Sequence, residues 1–136
     1  MRITKEMLRT DLPEGDGFIL ALHSDSIYCE SNLYIPKWND CPVGFYLHNP
    51  HMFDGWMELP EKDELRTDLP EEKHRDGYVN SVLAYRSDEY YNSLSNKESF
   101  GRWGTSNVAY YLGHPEQFDG WIELEDINPV LDFFQY

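Results

Sequence analysis

The chain states one pattern twice. Leu8-Arg9-Thr10-Asp11-Leu12-Pro13-Glu14 returns unchanged as Leu65-Arg66-Thr67-Asp68-Leu69-Pro70-Glu71. Phe53-Asp54-Gly55-Trp56 returns as Phe118-Asp119-Gly120-Trp121, each followed one residue later by Glu-Leu: Glu58-Leu59 and Glu123-Leu124. Two matched ends around two divergent middles define a repeated unit of about 60 residues. A lone unit of that size buries only about 60% of its unfolded surface and is marginal. The expected organisation is therefore two units sharing one core: residues 1–60, residues 61–125, and a tail over 126–136.

The spacing between matched residues locates the loops. It is 57 at Leu8/Leu65, 60 at Asp16/Asp76, 63 at Leu20/Leu83 and 65 at Tyr46/Tyr111. Growth is tolerated in exposed turns rather than in packed elements. The steps predict loops near Glu72-Lys73-His74, Asn80-Ser81 and Ser95-Asn96. Between them, the β-prone apolar runs from Gly17 to His23 and from Ser81 to Arg86 predict one pair of strands. Val43 to His48 and Asn107 to Leu112 predict a second pair. Gly55 to Leu59 and Gly120 to Leu124 alternate as a third. Ser26 to Glu30 and Glu89 to Ser93 would add a fourth strand to each unit.

Helices are expected to be short. Thr4 to Leu8 and Glu61 to Leu65 each suit one or two turns. Pro50 to Phe53 and Pro115 to Phe118 suit single turns entered through proline. Asn128-Pro129 starts a short C-terminal helix through Phe134. The resulting class is α+β and β-dominated: two tandem repeats of three or four antiparallel strands, related by a pseudo-two-fold axis.

Charge narrows the partners. Twenty-five acids against eleven Lys and Arg give −14. A field of that sign repels nucleic acid and anionic membranes and attracts basic surfaces. Direct nucleic-acid binding and membrane association are not expected. No stretch approaches the roughly 18 apolar residues of a spanning helix, and Met1 to Leu12 lacks the apolar run of a secretory signal. A cytoplasmic location with reduced thiols is the expectation.

The repeated letters have structural readings. Asp54-Gly55 and Asp119-Gly120 read as turn chemistry, with Trp56 and Trp121 filling the core; the competing reading is a paired aromatic recognition site. Arg9 and Asp11, like Arg66 and Asp68, are spaced to pair; the competing reading is one anion held by each Arg. His48, His51, Cys29 and Cys41 lack the tight local ligand pairs of a zinc site, so no metal or cofactor is expected. No nucleophile elbow, Walker loop, zinc-protease helix or dinucleotide fingerprint occurs, and the chain does not read as an enzyme. The remaining candidates are acidic residues interleaved with tyrosines. They are Glu61, Asp63, Glu64, Glu71, Glu72, Asp88, Glu89, Tyr90, Tyr91, Glu123, Glu125 and Asp126. Carboxylates beside aromatic anchors suit a basic partner, since charge speeds encounter and aromatics hold the interface. The plain alternative is a solvated surface.

Leu12-Pro13-Glu14 at the start of a unit and Trp56-Met57-Glu58-Leu59-Pro60-Glu61 at its end, with Leu69-Pro70-Glu71 and Trp121-Ile122-Glu123-Leu124 in the second, resemble a family of small phage- and prophage-encoded domains of unknown function. Here Gly replaces His before the Trp, Glu replaces the inner Pro, and the second unit lacks the closing Pro. The resemblance implies a small accessory protein of a bacterial virus, acting in the host cytoplasm.

Three functions follow as expectations. The first is a non-enzymatic acidic protein that binds and inhibits or sequesters a host protein with a basic surface, such as a nucleic-acid-binding or defence component. The second is a small-ligand binder or minor enzyme with a pocket between the repeats. The third is a structural or assembly role.

Overall fold

Ile19-Leu20-Ala21-Leu22 and Val82-Leu83-Ala84 are apolar without alternation, the pattern of strands buried on both faces. They form the centres of two sheets. The computed structural model describes residues 1–24, 37–75, 78–95 and 101–125. The first unit contains β1 (Arg2–Ile3), β2 (Phe18–His23), β3 (Trp38–Pro42), helix α1 (Val43–His48) and β4 (Phe53–Glu58). The second contains β5 (His74–Arg75), β6 (Tyr78–Val79), β7 (Ser81–Arg86), α2 (Asp88–Ser93), β8 (Trp103–Asn107), α3 (Val108–Gly113) and β9 (Phe118–Leu124). Single 3-10 turns at Lys5–Met7, Lys62–Glu64, Pro50–Met52 and Pro115–Gln117 fall where the sequence places them.

One sheet has the strand order β3-β2-β4 and the other β1-β9-β7-β8, while β5 and β6 form a two-stranded ribbon. All pairings are antiparallel except β1 on β9. The parallel pair is a crossover: the first strand of unit one completes the sheet of unit two.

Each central strand sends alternate residues to opposite sides. Leu20 and Leu22 join Ile3, Trp38, Met57, Leu83, Trp103, Ile122 and Leu124 in a cluster drawn from both units. Ile19 and Ala21 face Val43 and Tyr46 of α1, with Phe53 and Trp56. Val82 and Ala84 face Val108 and Tyr111 of α3, with Trp121. The apolar layers therefore run α1, sheet, shared core, sheet, α3.

The fold is α+β and β-dominated, with strands at β2, β4, β7 and β9 as the sequence predicts. Other elements differ. Val43 to His48 are helical rather than extended, as are Val108 to Leu112 of the run from Asn107 to Leu112. Short apolar runs do not separate strand from helix by pattern alone. Here burial at Val43/Tyr46 and Val108/Tyr111, three apart, puts one helical face on the sheet. Asn107 caps α3 by accepting the Tyr110 N–H at 2.7 Å. Glu89 to Ser93 is also helical, because Ser87 caps α2 through the Tyr90 N–H. The sheet positions expected from those runs belong to β3 and β8, whose polar letters hid them. The growth point at Glu72-Lys73-His74 runs into the β5–β6 ribbon. Ser26 to Glu30 and the tail helix from Asn128 lie outside the described residues.

Candidate functional site

The repeated letters meet in space. Arg9 and Trp56 exchange both backbone hydrogen bonds, at 2.7 and 3.0 Å, and Arg66 and Trp121 do the same at 2.9 and 3.0 Å. Each guanidinium lies over the indole of its partner, 4.5 Å from the Trp56 ring centre and 4.3 Å from that of Trp121. Arg9 also forks onto Asp11 at 3.1 and 2.7 Å, as Arg66 does onto Asp68 at 3.2 and 2.8 Å. Each indole N–H donates to the carbonyl of that aspartate, Trp56 to Asp11 and Trp121 to Asp68, both at 2.6 Å. The hydrogen bond from the guanidinium, more than its charge alone, holds the Asp11 and Asp68 carboxyls below the usual carboxylate range. Arg9 and Arg66 are thus engaged by their own aspartates, as their spacing predicts.

The glycines are not turn residues. Gly55 and Gly120 lie inside β4 and β9, and positive φ among the described residues is confined to Gly15 and Gly17. A Cβ on Gly55 would stand 2.8 Å from the Arg9 carbonyl oxygen, and one on Gly120 2.6 Å from that of Arg66. Only glycine lets the Arg segment lie this close to the strand. Asp54 and Asp119 face lysines instead: buried Lys37 at 3.8 Å and Lys62 at 3.6 Å. Trp56 and Trp121 are core residues, each 4% exposed.

Beside each module lies a cleft. That of the first unit, about 370 Å³, is lined by Arg9, Asp11, Leu12, Glu14, Asp16, Phe18, Ile19, Val43, Trp56 and Glu58. That of the second, about 330 Å³, is lined by the matching Arg66, Asp68, Leu69, Glu71, Val82, Trp121 and Glu123, joined by Arg2 and Lys73. At both rims a repeated Leu-Pro points its Pro inward and its Leu outward: Leu12 is 60% exposed and Leu69 65%. Packing therefore does not account for the leucines. Thr10 and Thr67 are exposed, and nothing in the structure explains their identity.

The chain matches no protein-family model, no curated protein and no solved structure.

The structure divides the acidic and aromatic candidates by what they touch. Glu61, Asp63 and Glu64, on and beside a 3-10 turn, and Glu71 at the second cleft are exposed, and none forms an ion pair among the described residues. Glu72 is exposed and engaged elsewhere. Asp88 pairs with Arg102 at 2.6 Å, and the same guanidinium covers the Tyr91 and Tyr85 rings. Glu123 pairs with Arg2. Glu125 is a tie between units: its side chain accepts the Lys5 N–H, its N–H donates to the Ile3 carbonyl and its carbonyl accepts the Trp38 indole N–H. Asp126 lies outside the described residues.

Glu89 and Tyr90 border a depression of about 220 Å³ with Ser93, Glu116 and Gln117. Tyr90 also reaches an open cleft of about 340 Å³ with Arg86, Thr105, Ser106, Asn107, Tyr110 and Phe118. Several of its polar groups have internal partners: Arg86 donates to the Gly101 and Trp103 carbonyls, and Tyr110 to Gln117. No cluster of three or more His, Cys, Asp or Glu suited to a metal occurs among the described residues. His48 bonds the Gly44 carbonyl, Cys29 is outside the described residues, and burial pushes the Cys41 thiol up to about 11. No helix among the described residues is long and apolar enough to cross a membrane.

The sequence reading missed Leu12, Glu14, Asp16 and Glu58 as a group. The signal was present in the letter-for-letter return of Leu12 as Leu69, a residue that the core does not use.

Proposed function

We propose that this chain is a non-enzymatic binding protein whose acidic, aromatic surface engages a basic protein surface and thereby sequesters or inhibits its owner. The observation that carries this reading is carboxylate left without a cation. Glu61, Asp63, Glu64 and Glu71 are exposed and unpaired among the described residues, on a chain of net charge −14. Like charges held at a surface are tolerated when an opposite surface neutralises them, and they speed encounter with it. Exposed Leu69 supplies apolar area beside Glu71. The resemblance to phage-encoded domains sets this activity in a bacterial host, against a nucleic-acid-binding or defence protein.

The test is capture from bacterial lysate by the wild-type chain and by a variant with lysine at Glu61, Asp63, Glu64, Glu71 and Glu72. Wild type should retain proteins of high isoelectric point at low salt and release them at high salt, and the variant should lose them. Equal retention by the folded variant would sink the reading. A second reading, small-ligand binding, rests on the Tyr90, Tyr110 and Phe118 cleft. Its measure is a thermal upshift with small aromatic or sugar ligands that Tyr110→Ala removes.

A further inference from the structure

The two clefts share a wall and differ in charge. The first has one cation, Arg9, against Asp11, Glu14, Asp16 and Glu58. The second has Arg2, Arg66 and Lys73 against Asp68, Glu71 and Glu123. With Arg9 paired to Asp11, the other three carboxylates of the first cleft form no ion pair among the described residues, Arg9 acting on Glu58 and Glu14 only through its charge. In the second, the residue matching Glu58 is Glu123, and Arg2 occupies it. Arg2 arrives on β1, an extended Arg-Ile step lying parallel to β9, with Ile3 fully buried beside it. The second unit thus displays the basic half of such a segment at this wall, Arg2, while the adjoining Ile3 passes into the core between the units.

We infer that the first cleft is a receptor for a basic residue next to an apolar one on an extended segment of a partner protein, and that the second cleft is closed to it because Arg2 and Lys73 are already there. This rests on the reading of the chain as a binder of basic proteins and names the place where one basic residue is read. Gly15 at φ 90° and Gly17 at φ 122° hold the loop that brings Glu14 and Asp16 to the cleft. Phe18 gives the stem of an Arg or Lys an apolar wall, and exposed Leu12 at the rim is the apolar surface offered to its neighbour. The segment cannot copy the full β1 ladder. Glu125, whose N–H takes the Ile3 carbonyl, corresponds to Pro60, which has no N–H. An extended segment at the first cleft therefore lacks that backbone bond and leans more on its side chains.

The probe is a capped pentapeptide copying Met1 to Lys5, compared with the same peptide carrying Gln for Arg. The readout is the pair of indole N–H resonances of Trp56 and Trp121 in the intact, isotope-labelled chain. The arginine peptide should shift Trp56 and leave Trp121 in place. The Gln peptide, or the Glu14→Gln, Asp16→Asn, Glu58→Gln variant, should bind about tenfold more weakly or worse, the sum of three exposed charge pairs. Equal shifts at both indoles, or undiminished binding by the variant, would overturn the proposal. Spermidine acting as strongly as the peptide would overturn its apolar half. If the peptide moves neither indole while lysate capture stays salt-dependent, the receptor fails and the broader binding function stands.

Discussion

Arg9, Asp11 and Trp56 stand in the first cleft as Arg66, Asp68 and Trp121 stand in the second, yet one cleft is strongly acidic and the other balanced. The difference comes from two additions. Arg2 crosses from the other unit, and Lys73 sits where the second unit has grown by three residues. What is common to both units builds the wall, and what is particular to one decides its charge. A repeated motif can thus be a folding device and a recognition scaffold together, with the function set by neighbours the repeat does not include.

The sharpest way to break the comparison is to remove the wall. Trp56→Ala and Trp121→Ala should each cost about 3–5 kcal/mol, the range for a buried large aromatic, measured by urea unfolding. Unequal costs would show that the matching geometry does not carry matching energy. Gly55→Ala and Gly120→Ala should come next, at about 1–3 kcal/mol. The added methyl meets a backbone oxygen, which has little room to yield. If either variant unfolds at the wild-type midpoint, the close approach is not a constraint.

A charge exchange should then make the clefts alike. Arg2→Gln with Lys73→Gln removes two cations from the second cleft and leaves Glu123 unpaired, and the arginine peptide should now shift Trp121 as well. A Trp121 signal that stays fixed would mean that charge is not what separates the two sites.

The smallest effect concerns His23 and Arg86, which occupy matching positions at the ends of β2 and β7, each at a register shift. Arg86 bonds two carbonyls. His23 packs against Phe53 with Nδ1 buried and unsatisfied. Burial, and then the Lys37 charge, push its pKa below the ordinary imidazole value. The folded state therefore favours neutral His23. Its stability is intact above about pH 6.5, the unfolded value, and declines as pH falls toward the folded value. His23→Gln should flatten that limb of the melting-temperature profile. An unchanged profile would remove His23 as its source.

Much of this was readable in the letters because repetition made the chain its own comparison. The paired β2/β7 and β4/β9 strands, the proline-entered turns and the Arg-Asp pairing all follow from local pattern. The helices α1 and α3 were not readable. Six residues such as Val43-Gly44-Phe45-Tyr46-Leu47-His48 suit either period, and packing against β2 decides between them. Gly55 and Gly120 were misread as turn residues for a related reason. What requires glycine there is a carbonyl 46 positions away in the first unit and 54 in the second.

The letters alone establish that two stretches of the chain repeat at their ends and diverge in their middles, and that the net charge is −14. Which carboxylates remain without an ion pair is settled in three dimensions. Ion pairing depends on distances of a few ångströms, and residues such as Arg2 and Glu123 come within that range only after the chain has crossed from one unit to the other.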